Sequence, residues 1–246
     1  MIKQLITGLY FLAPFAVAEP NMMHYFTADN IEFRYYQPDL ANENVKIFWL
    51  NAEGEPYLSL DNLMQEQQNN GTPLLFAMNG GIYSDDARPG GLYIENYQKI
   101  KDINLNSGKD NFHTKPNGVF YMQGDIPHIV ISENFTDAPD ISMAVQSGPL
   151  LIHKGKIFSH FTNASPSEYV RNGACVTADN QLYFIQSLTP SNMYRFALVA
   201  QNKFACQEFL YLDGFISHMQ AQYGENKGTQ IRPFISIIAT RPKNPK

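Results

Sequence analysis

Three short polar segments interrupt apolar runs of the sequence, and each carries groups that could bind or activate a ligand. In chain order, the segments are Asn79-Gly80-Gly81, Gln146-Ser147-Gly148 and Asp213-Gly214. A carboxylate such as Asp213 can act as a general base or a nucleophile, while Asn79 can both donate and accept hydrogen bonds. The glycines allow a ligand to approach the backbone closely. Each segment taken alone is also compatible with a plain turn.

Two arginines lie in polar, glycine-flanked settings, Arg88 in DDARPGG and Arg171 in YVRNGAC. A planar guanidinium can grip a phosphate or a carboxylate through two parallel hydrogen bonds. The alternative for each arginine is a surface ion pair with a neighbouring acidic residue, namely Asp85, Asp86 or Glu168.

Several other chemistries find no support in the residue pattern. The segment around Ser147 lacks the G-x-S-x-G form, so this serine is not interpreted as a hydrolase nucleophile. The six histidines form no HExxH or H-x-H spacing, and His218 is expected to be a packing or surface residue. No glycine motif for nucleotide phosphates occurs in the sequence. We therefore expect no cofactor and no dedicated metal site, and we leave a divalent cation as an open alternative.

Length and charge restrict the class of protein further. The chain has 246 residues, 44% of them hydrophobic, which excludes a wholly disordered protein. With 18 basic residues against 23 acidic ones and no basic cluster, the sequence does not favour nucleic acid as a partner.

The elements that must position the three polar segments are mostly strands. Apolar or alternating runs predict strands at 31–37, 45–50, 74–78, 119–122, 128–132, 149–153, 174–177, 181–186, 209–212 and 234–239. Ser59 and Ser191 are expected to cap two helices, and Asp179-Asn180 to turn a hairpin. The predicted fold class is α/β (α+β), a single domain with a large mixed, strand-rich sheet and a few packed helices. Active sites in α/β folds often lie just beyond strand ends, where the three segments fall.

The N-terminus and the two cysteines indicate an exported protein. Residues 1–18 have a positive start, an apolar stretch and the small-residue site Ala16-Val17-Ala18, which is typical of a signal peptide. A transmembrane anchor is the alternative, but the apolar stretch is shorter than the roughly 20 residues needed. We expect a secreted or periplasmic domain over 19–246 without a stable membrane anchor. In an oxidising compartment Cys175 and Cys206 are expected to form a disulfide, with two buried free thiols as the alternative.

Taken together and in this order, the segments resemble the phosphodiester glycosidase family, in particular its shorter secreted bacterial branch. The matching stretches are FAMNGGIYSDDARPGGLYIENYQKI (76–100), KPNGVFYM (115–122), AVQSGPLLIHKGKI (144–157), YVRNGACVTADNQLYFIQS (169–187) and FALVAQNKFACQEFLYLDGFISHM (196–219). The resemblance covers roughly residues 70–220. The animal branch has LDGGGS where this chain has LDGFIS, so the animal substrate is not carried over.

The resemblance implies hydrolysis of the glycosidic bond of a sugar-1-phosphodiester, of the N-acetylglucosamine-1-phosphodiester kind, in a glycan or cell-envelope polymer. Asp213 would be the nucleophile, the base for water or an electrostatic partner, and Arg171 would hold the diester anion. The remaining expected site residues are Asn79 as a catalytic residue and Gly80, Gly81, Arg88, Gln146, Ser147, Gly148, Gly214 and Ser217 as substrate-binding residues. Candidates for a second carboxylate are Asp85, Asp86 and Glu95. The alternative function is a non-catalytic periplasmic glycan-binding protein that retains the family cleft.

Overall fold

The computed structural model describes residues 22–84, 86–214 and 216–243. The predicted signal peptide and the candidate carboxylate Asp85 therefore lie outside the described residues. Within the described ranges, no helix is both long and apolar enough to cross a membrane.

Strands make up most of the regular structure. They are β1 (His24–Ala28), β2 (Ile31–Tyr36), β3 (Glu43–Phe48), β4 (Phe76–Asn79), β5 (Tyr83–Ser84), β6 (Arg88–Pro89), β7 (Tyr93–Glu95), β8 (Gln98–Lys101), β9 (Gly118–Gln123), β10 (Ile126–Ile131), β11 (Ile141–Ser147), β12 (Leu150–His153), β13 (Lys156–Ile157), β14 (Asn172–Thr177), β15 (Leu182–Ser187), β16 (Cys206–Tyr211), β17 (Met219–Ala221) and β18 (Ile237–Pro242). Two α-helices accompany them, α1 (Leu60–Asn69) and α2 (Met193–Phe204). This composition confirms the predicted strand-rich α+β class.

The strands are distributed over three main sheets rather than one. The seven-stranded sheet has the order β1-β2-β15-β14-β16-β12-β13, the five-stranded sheet β10-β9-β11-β7-β8, and the four-stranded sheet β17-β4-β18-β3. Strands β5 and β6 form a separate hairpin. Every pairing among the described strands is antiparallel. Many of the loops between consecutive strands are short. A short loop can join antiparallel neighbours, whereas a parallel pair needs a long crossover connection.

The N-terminal cap predicted for α1 is present, whereas the one predicted for α2 is replaced by the next residue. Ser59 caps α1 as predicted, because its hydroxyl accepts a hydrogen bond from the Asn62 backbone N–H at 3.0 Å. For α2 the predicted cap Ser191 was wrong, since Asn192 caps the helix by accepting from the Arg195 backbone N–H at 2.9 Å. Ser191 instead pairs with Tyr169 in an isolated β-bridge.

One apolar core lies between the three sheets and joins them. Phe76 of the four-stranded sheet stacks on Phe184 of the seven-stranded sheet with ring centres 5.4 Å apart. Phe120 of the five-stranded sheet meets the same Phe184 ring edge-on at 5.9 Å. The predicted disulfide is present between Cys175 of β14 and Cys206 of β16, whose Cα atoms lie 5.5 Å apart. It joins two neighbouring strands that lead to the polar segments described next.

Candidate active site

The three polar segments predicted from the sequence meet at Ser147, at the end of β11. The Ser147 hydroxyl donates a hydrogen bond to the Leu212 carbonyl at 2.7 Å, just before Asp213. It accepts another from the Ile82 backbone N–H at 3.3 Å, just after Gly81. Both contacts use the hydroxyl within the protein, so Ser147 holds the segments together.

A pair of buried asparagines links the same region from the other side. Asn79 lies at the end of β4, and Asn172 lies at the start of β14. The Asn172 side chain donates to the Asn79 Oδ1 at 2.6 Å and accepts from the Asp213 backbone N–H at 3.0 Å. Because β14 runs antiparallel to β16, the start of β14 lies beside the end of β16 that leads to Asp213. We call this pair the asparagine bridge.

Backbone donors fix the orientation of both amides in the asparagine bridge. The Asn79 Oδ1 also accepts from the His218 backbone N–H at 2.9 Å, and a backbone N–H can only donate. The Asn79 Nδ2 therefore has to point elsewhere, and it is buried without a hydrogen-bond partner among the described residues. A buried donor left unpaired costs about 1–3 kcal/mol, so an oxygen atom of a ligand bound here would be stabilised.

Asp213 follows β16 at the centre of this arrangement and is half-buried. Burial raises the pKa of its carboxyl to about 7, and a hydrogen bond from the Gly214 backbone opposes that rise. The phenols of Tyr83 and Tyr211 lie near enough that the Asp213 charge raises their pKa values, although burial is the larger cause for both. The Ser217 hydroxyl donates to the Asp213 carbonyl at 2.6 Å and secures the loop that follows. A carboxyl that titrates near neutral pH suits acid–base or nucleophilic chemistry.

Arg171 lies one residue before β14 and is only 1% exposed. Its guanidinium donates through Nε to the Ser191 carbonyl and through Nη2 to the Ser167 carbonyl, both at 2.6 Å. The Tyr169 and Tyr211 rings lie 5.8 and 5.6 Å from the guanidinium carbon. Burial lowers the pKa of Arg171, which starts high enough that the group stays charged. Among the described residues, Arg171 has no carboxylate within the 4.0 Å of an ion pair.

A second arginine, Arg34 of β2, is fully buried and supports Ser217 and His218. It donates to the Gln186 side chain at 2.9 Å and to the Lys227 carbonyl at 2.6 Å. Gln186 in turn donates to the Ser217 carbonyl at 2.7 Å. The Arg34 Nη2 lies 3.2 Å from the His218 Nδ1. Like Arg171, Arg34 forms no ion pair with any carboxylate in the part of the chain that the structure describes.

The contact with Arg34 determines the tautomer of His218 and favours its neutral form. Arginine has only donors, so the His218 Nδ1 must accept, and a neutral ring then carries its proton on Nε2. Burial, followed by the nearby Arg34 charge, lowers the pKa of His218 to about 4. Of the two roles expected for His218, packing or surface, the structure shows a buried side chain, and its imidazole also bonds the buried Arg34.

Gln146 is not turned toward Asp213, although the sequence placed it with the site. Its Oε1 accepts from the backbone N–H groups of Leu92 and Asn104 at 3.0 and 2.8 Å. Its Nε2 donates to the Asn104 carbonyl at 2.7 Å and to the Ser132 hydroxyl at 3.0 Å. These four bonds satisfy the amide and fix the surrounding loops.

The predicted arginine and carboxylates near β5–β7 are also peripheral. Arg88 and Asp86 face each other at 3.5 Å with side chains 67% and 64% exposed, which matches the alternative of a surface ion pair. Glu95 pairs with Met143 of β11, four residues before Ser147, and is therefore about 13 Å along the strand from the site. In the described part of the chain, no hydrogen bond or ion pair joins Asp86 or Glu95 to the asparagine bridge.

The predicted glycines lie where the backbone packs closely against other groups. A Cβ atom on Gly214 would collide with the Tyr211 hydroxyl, and one on Gly81 would collide with Val145. Gly80 and Gly148 are similarly crowded by Ser236 and Asn117. Glycine at 214 thus leaves room for the Tyr211 hydroxyl, on the ring that lies beside the Arg171 guanidinium.

Sequence reasoning missed Asn172, Tyr211 and Arg34 as members of the site. Arg34 had a detectable signal, because a charged residue inside the apolar run IEFRYY is unusual for a buried strand. Asn172 adjoins the singled-out Arg171, and Tyr211 precedes the Asp213 segment, but nothing in their own residue types distinguished them. No group of three or more His, Cys, Asp or Glu side chains able to hold a metal ion occurs among the described residues.

Comparison with known proteins places this chain in a family. The chain is 36% identical to the uncharacterized protein YigE of Escherichia coli over 98% of its own length and 94% of that protein. Its fold is similar to the catalytic domain of zebrafish N-acetylglucosamine-1-phosphodiester α-N-acetylglucosaminidase, auto-inhibited by its pro-peptide (TM-score 0.62, 11% identity, 92% of this chain and 84% of that one). It is also similar to a putative exported protein of Burkholderia pseudomallei (TM-score 0.52, 9% identity, 85% and 74%). The sequence model for phosphodiester glycosidases matches residues 72–239, and the chain belongs to the phosphodiester glycosidase family.

Proposed function

We propose that this protein is an exported hydrolase that cleaves the glycosidic C1–O bond of a sugar-1-phosphodiester, of the N-acetylglucosamine-1-phosphodiester kind, in a glycan or cell-envelope polymer. One observation carries the proposal. Two buried arginines without carboxylate partners among the described residues, Arg34 and Arg171, flank the segment that bears Asp213.

Buried cations of this kind favour an anionic ligand. Removing a guanidinium from water costs several kcal/mol unless an opposite charge or good hydrogen bonds compensate. Backbone carbonyls satisfy part of the hydrogen bonding of both arginines but leave the net charge uncompensated. A phosphodiester carries one negative charge at all ordinary pH values. We propose that Arg171, together with the Tyr211 hydroxyl beside it, faces that charge.

The properties of Asp213 suit hydrolysis with a phosphate leaving group. A phosphate departs as an anion and needs no proton from the enzyme, unlike the alcohol released by an ordinary glycosidase. The ionised form of Asp213 is then the active one. Asp213 takes a proton from water, the water oxygen bonds to C1, and the C1–O electron pair stays on the departing phosphomonoester. The phosphomonoester or solvent takes up the proton afterwards, which returns Asp213 to its starting state.

Asn79 completes the proposed substrate contacts. Its unpaired Nδ2 is a donor for a sugar hydroxyl or a phosphate oxygen. The Ser191 hydroxyl is likewise buried without a partner among the described residues, and the carbonyl of the same residue accepts from Arg171. Gly80, Gly81, Gly214 and Ser217 surround this point and are proposed to shape the substrate cleft, whereas Gln146, Ser147 and Gly148 support it.

Export of the protein is part of the proposal. The signal peptide predicted over 1–18 and the disulfide between Cys175 and Cys206 both suit an oxidising compartment. We further propose that 19–246 forms one domain, that no nucleic acid or stable membrane anchor is involved, and that the reaction needs no organic cofactor.

Turnover tests the proposal directly. The purified protein is incubated with an alkyl diester of N-acetylglucosamine 1-phosphate and, separately, with the monoester, and free N-acetylglucosamine is measured. We expect release from the diester, and an Asp213→Asn variant should lose at least about a thousandfold in rate. The control variant Asp102→Asn changes a carboxylate whose side chain is 86% exposed and should keep the full rate. A folded protein that binds glycan but releases no sugar from the diester would instead be a non-catalytic glycan-binding protein.

A further inference from the structure

A polar cavity of about 410 Å³ lies beside the first turn of α1. Its volume falls within the range of about 300–1,000 Å³ that small-molecule sites occupy. The lining includes Leu60, Asp61, His218, Gln220, Thr229 and Gln230. The proposed reaction uses none of these side chains. We call this cavity the His218 cavity.

The walls of the His218 cavity are fixed by hydrogen bonds. One wall is the segment 226–230, where Asn226 accepts from the Ala221 backbone N–H at 2.8 Å and donates to the Ala221 carbonyl at 2.9 Å. The other wall is the start of α1, and the Gln230 Oε1 accepts from the Leu60 backbone N–H at 3.4 Å and so joins the two walls. A cavity with ordered walls loses little conformational entropy when a ligand binds.

A hydrogen-bond donor of His218 opens into the cavity. The residue is only 7% exposed, and its Nδ1 accepts from Arg34, so the neutral ring carries its proton on Nε2. This Nε2 bonds no other described residue, yet it is not one of the unpaired polar atoms that the fold encloses completely. It therefore keeps accessible surface, and that surface faces the cavity that His218 lines.

The tautomer of His218 restricts what can bind at Nε2. A protonated ring nitrogen cannot ligate a metal ion or accept from an ammonium group, so its partner has to be an acceptor. Burial lowers the pKa of His218, and the charge of Asp61 opposes that effect, so this carboxylate is close to the imidazole. Because Asp61 also lines the cavity, it would repel an anionic acceptor. The acceptor is therefore a neutral oxygen.

The rest of the lining requires a ligand that also donates. An ionised Asp61 can only accept, whereas Gln220 and Thr229 offer an amide and a hydroxyl that both donate and accept. Leu60 is the one aliphatic side chain among the described residues of the lining, so an apolar ligand has little to contact. A sugar ring matches this lining, because its several neutral hydroxyls both donate and accept.

The His218 cavity adjoins the asparagine bridge. The Asn79 backbone N–H donates to the His218 carbonyl at 3.2 Å, and the pairing of β17 with β4 puts the two residues opposite each other. Opposed side chains lie on one face of a sheet, with Cβ atoms about 4.5–5.5 Å apart. Asn79 is not part of the lining, so the cavity begins beyond this residue. A substrate held at Asn79 can therefore extend into the cavity.

The side chains of Arg171 and Asn172 indicate which end of the substrate extends there. Arg171 continues β14, since its carbonyl accepts from the Ser187 N–H at 2.8 Å, and consecutive side chains on a strand point to opposite faces. Asn172 bonds Asn79, whereas Arg171 bonds the Ser191 carbonyl. In the proposed function Arg171 holds the phosphate, and the cavity then lies on the sugar side of the cleaved bond.

We propose that the His218 cavity binds a second sugar unit, joined through a hydroxyl of the sugar that is cleaved, and that the substrate is an oligosaccharyl phosphodiester. The order of the groups rests on the proposed function, and the proposal adds the length of the sugar part. His218 and Asp61 contact the second unit, and neither touches the reacting atoms. Such binding is equal in the ground state and the transition state, so it lowers KM more than it raises kcat.

Methyl diesters of four sugar 1-phosphates test this proposal. One carries N-acetylglucosamine alone, and three carry a second, β-linked N-acetylglucosamine on O3, O4 or O6 of the first. We expect at least one disaccharide diester to have a kcat/KM at least tenfold above that of the monosaccharide diester, mainly through KM. Asp61→Asn and Gln220→Ala should each reduce that ratio several-fold. The control Asp102→Asn, which changes a side chain that is 86% exposed, should keep the ratio.

Equal kcat/KM values for all four diesters would overturn the proposal, and so would a ratio that Asp61→Asn and Gln220→Ala leave unchanged. If the wild type hydrolyses none of the diesters, the proposed reaction is wrong, and binding then decides about the cavity. For this purpose isotope-labelled protein is titrated with the three free disaccharides while the imidazole NMR signals are recorded. A saturable shift of the His218 signal, with the exposed His24 unaffected, keeps the cavity as a sugar site. The absence of any shift overturns the sugar site as well.

Discussion

Asn172 donates from its side chain to the Asn79 Oδ1 over 2.6 Å, joining the start of β14 to the end of β4. The same Asn172 accepts from the Asp213 backbone N–H. Residues distant in the sequence are thereby held in one orientation, and the unpaired Asn79 Nδ2 is the group that remains to meet a ligand. This geometry is the basis of the first prediction.

Replacing Asn79 by aspartate should separate its two hydrogen-bonding roles. Asn79→Asp keeps an oxygen for the His218 N–H and the Asn172 amide, but it removes the unpaired donor and adds a charge that repels a diester. We expect kcat/KM to fall about 100- to 1,000-fold, the range seen when a single transition-state donor is lost. Asn180→Asp, in the β14–β15 turn, is the matched control and should keep wild-type kinetics. A wild-type kcat/KM for Asn79→Asp would remove this residue from the site.

The pH dependence of the rate should follow the ionisation of Asp213. Because burial raises the pKa of this carboxyl to about 7, its base form is lost as the pH falls through that value. The diester itself does not titrate between pH 5 and 9. We expect log kcat/KM to rise with unit slope below pH 7 and to level off above it. A profile that is flat from pH 5 to 8 contradicts the assignment, and one that falls through pH 7 makes Asp213 an acid.

Arg34 is predicted to position Ser217 and His218 rather than to touch substrate. Arg34→Met removes its bonds to Gln186, Lys227 and His218 while keeping similar volume, so kcat should fall about tenfold or more with a smaller change in KM. Arg241→Met at the end of the four-stranded sheet is the control.

His218 gives a readout that a general loss of stability would not produce. Its pKa, lowered to about 4, should rise toward the ordinary value near 6.5 in Arg34→Met, as measured by imidazole NMR titration. In the wild type, the stability contributed by the neutral ring is complete above about pH 6.5 and is lost as the pH falls toward 4. An unchanged His218 pKa in Arg34→Met would mean that the contact between Arg34 and His218 does not favour the neutral imidazole.

The disulfide should matter for stability and for alignment of the site. It joins β14, which begins with Asn172, to β16, which leads to Asp213, and its cysteines are 31 residues apart in the sequence. Loss of the bond in Cys175→Ala/Cys206→Ala should cost about 3 kcal/mol in the free energy of unfolding and lower Tm by roughly 6–12 °C. Reductant should have the same effect on the wild type and none on the double variant. An unchanged Tm would mean that the pairing contributes nothing.

Local signals in the sequence were sufficient for much of the fold. The Ser59 cap, the Asp179-Asn180 hairpin and the apolar strands are short-range patterns, and the structure has them close to the predicted positions. The distribution of strands over three sheets was not predicted, because pairing depends on contacts between distant residues. Strand β11 is buried along its whole length, so it lacks the alternation that reveals a half-exposed strand.

The same distinction applies to the site. Asp213, Asn79 and Arg171 stand out because a polar residue at a strand end is visible locally. The sequence could not show that the Gln146 amide bonds Asn104 and Leu92, because these partners are distant in the chain. Arg34 was overlooked because it is distant in the chain from Asp213. It is linked to the site through its contacts with Gln186 and His218.

Identifying which bond is cleaved is the most direct test of the proposed glycosidase reaction. The diester is hydrolysed by the wild-type protein in water enriched in heavy oxygen, and mass spectrometry reads the isotope in the phosphomonoester product. If Asp213 directs water to C1, the phosphomonoester carries no heavy oxygen, and Asp213→Asn forms no product above background. Heavy oxygen in the phosphomonoester would mean attack at phosphorus, and would contradict a glycosidase.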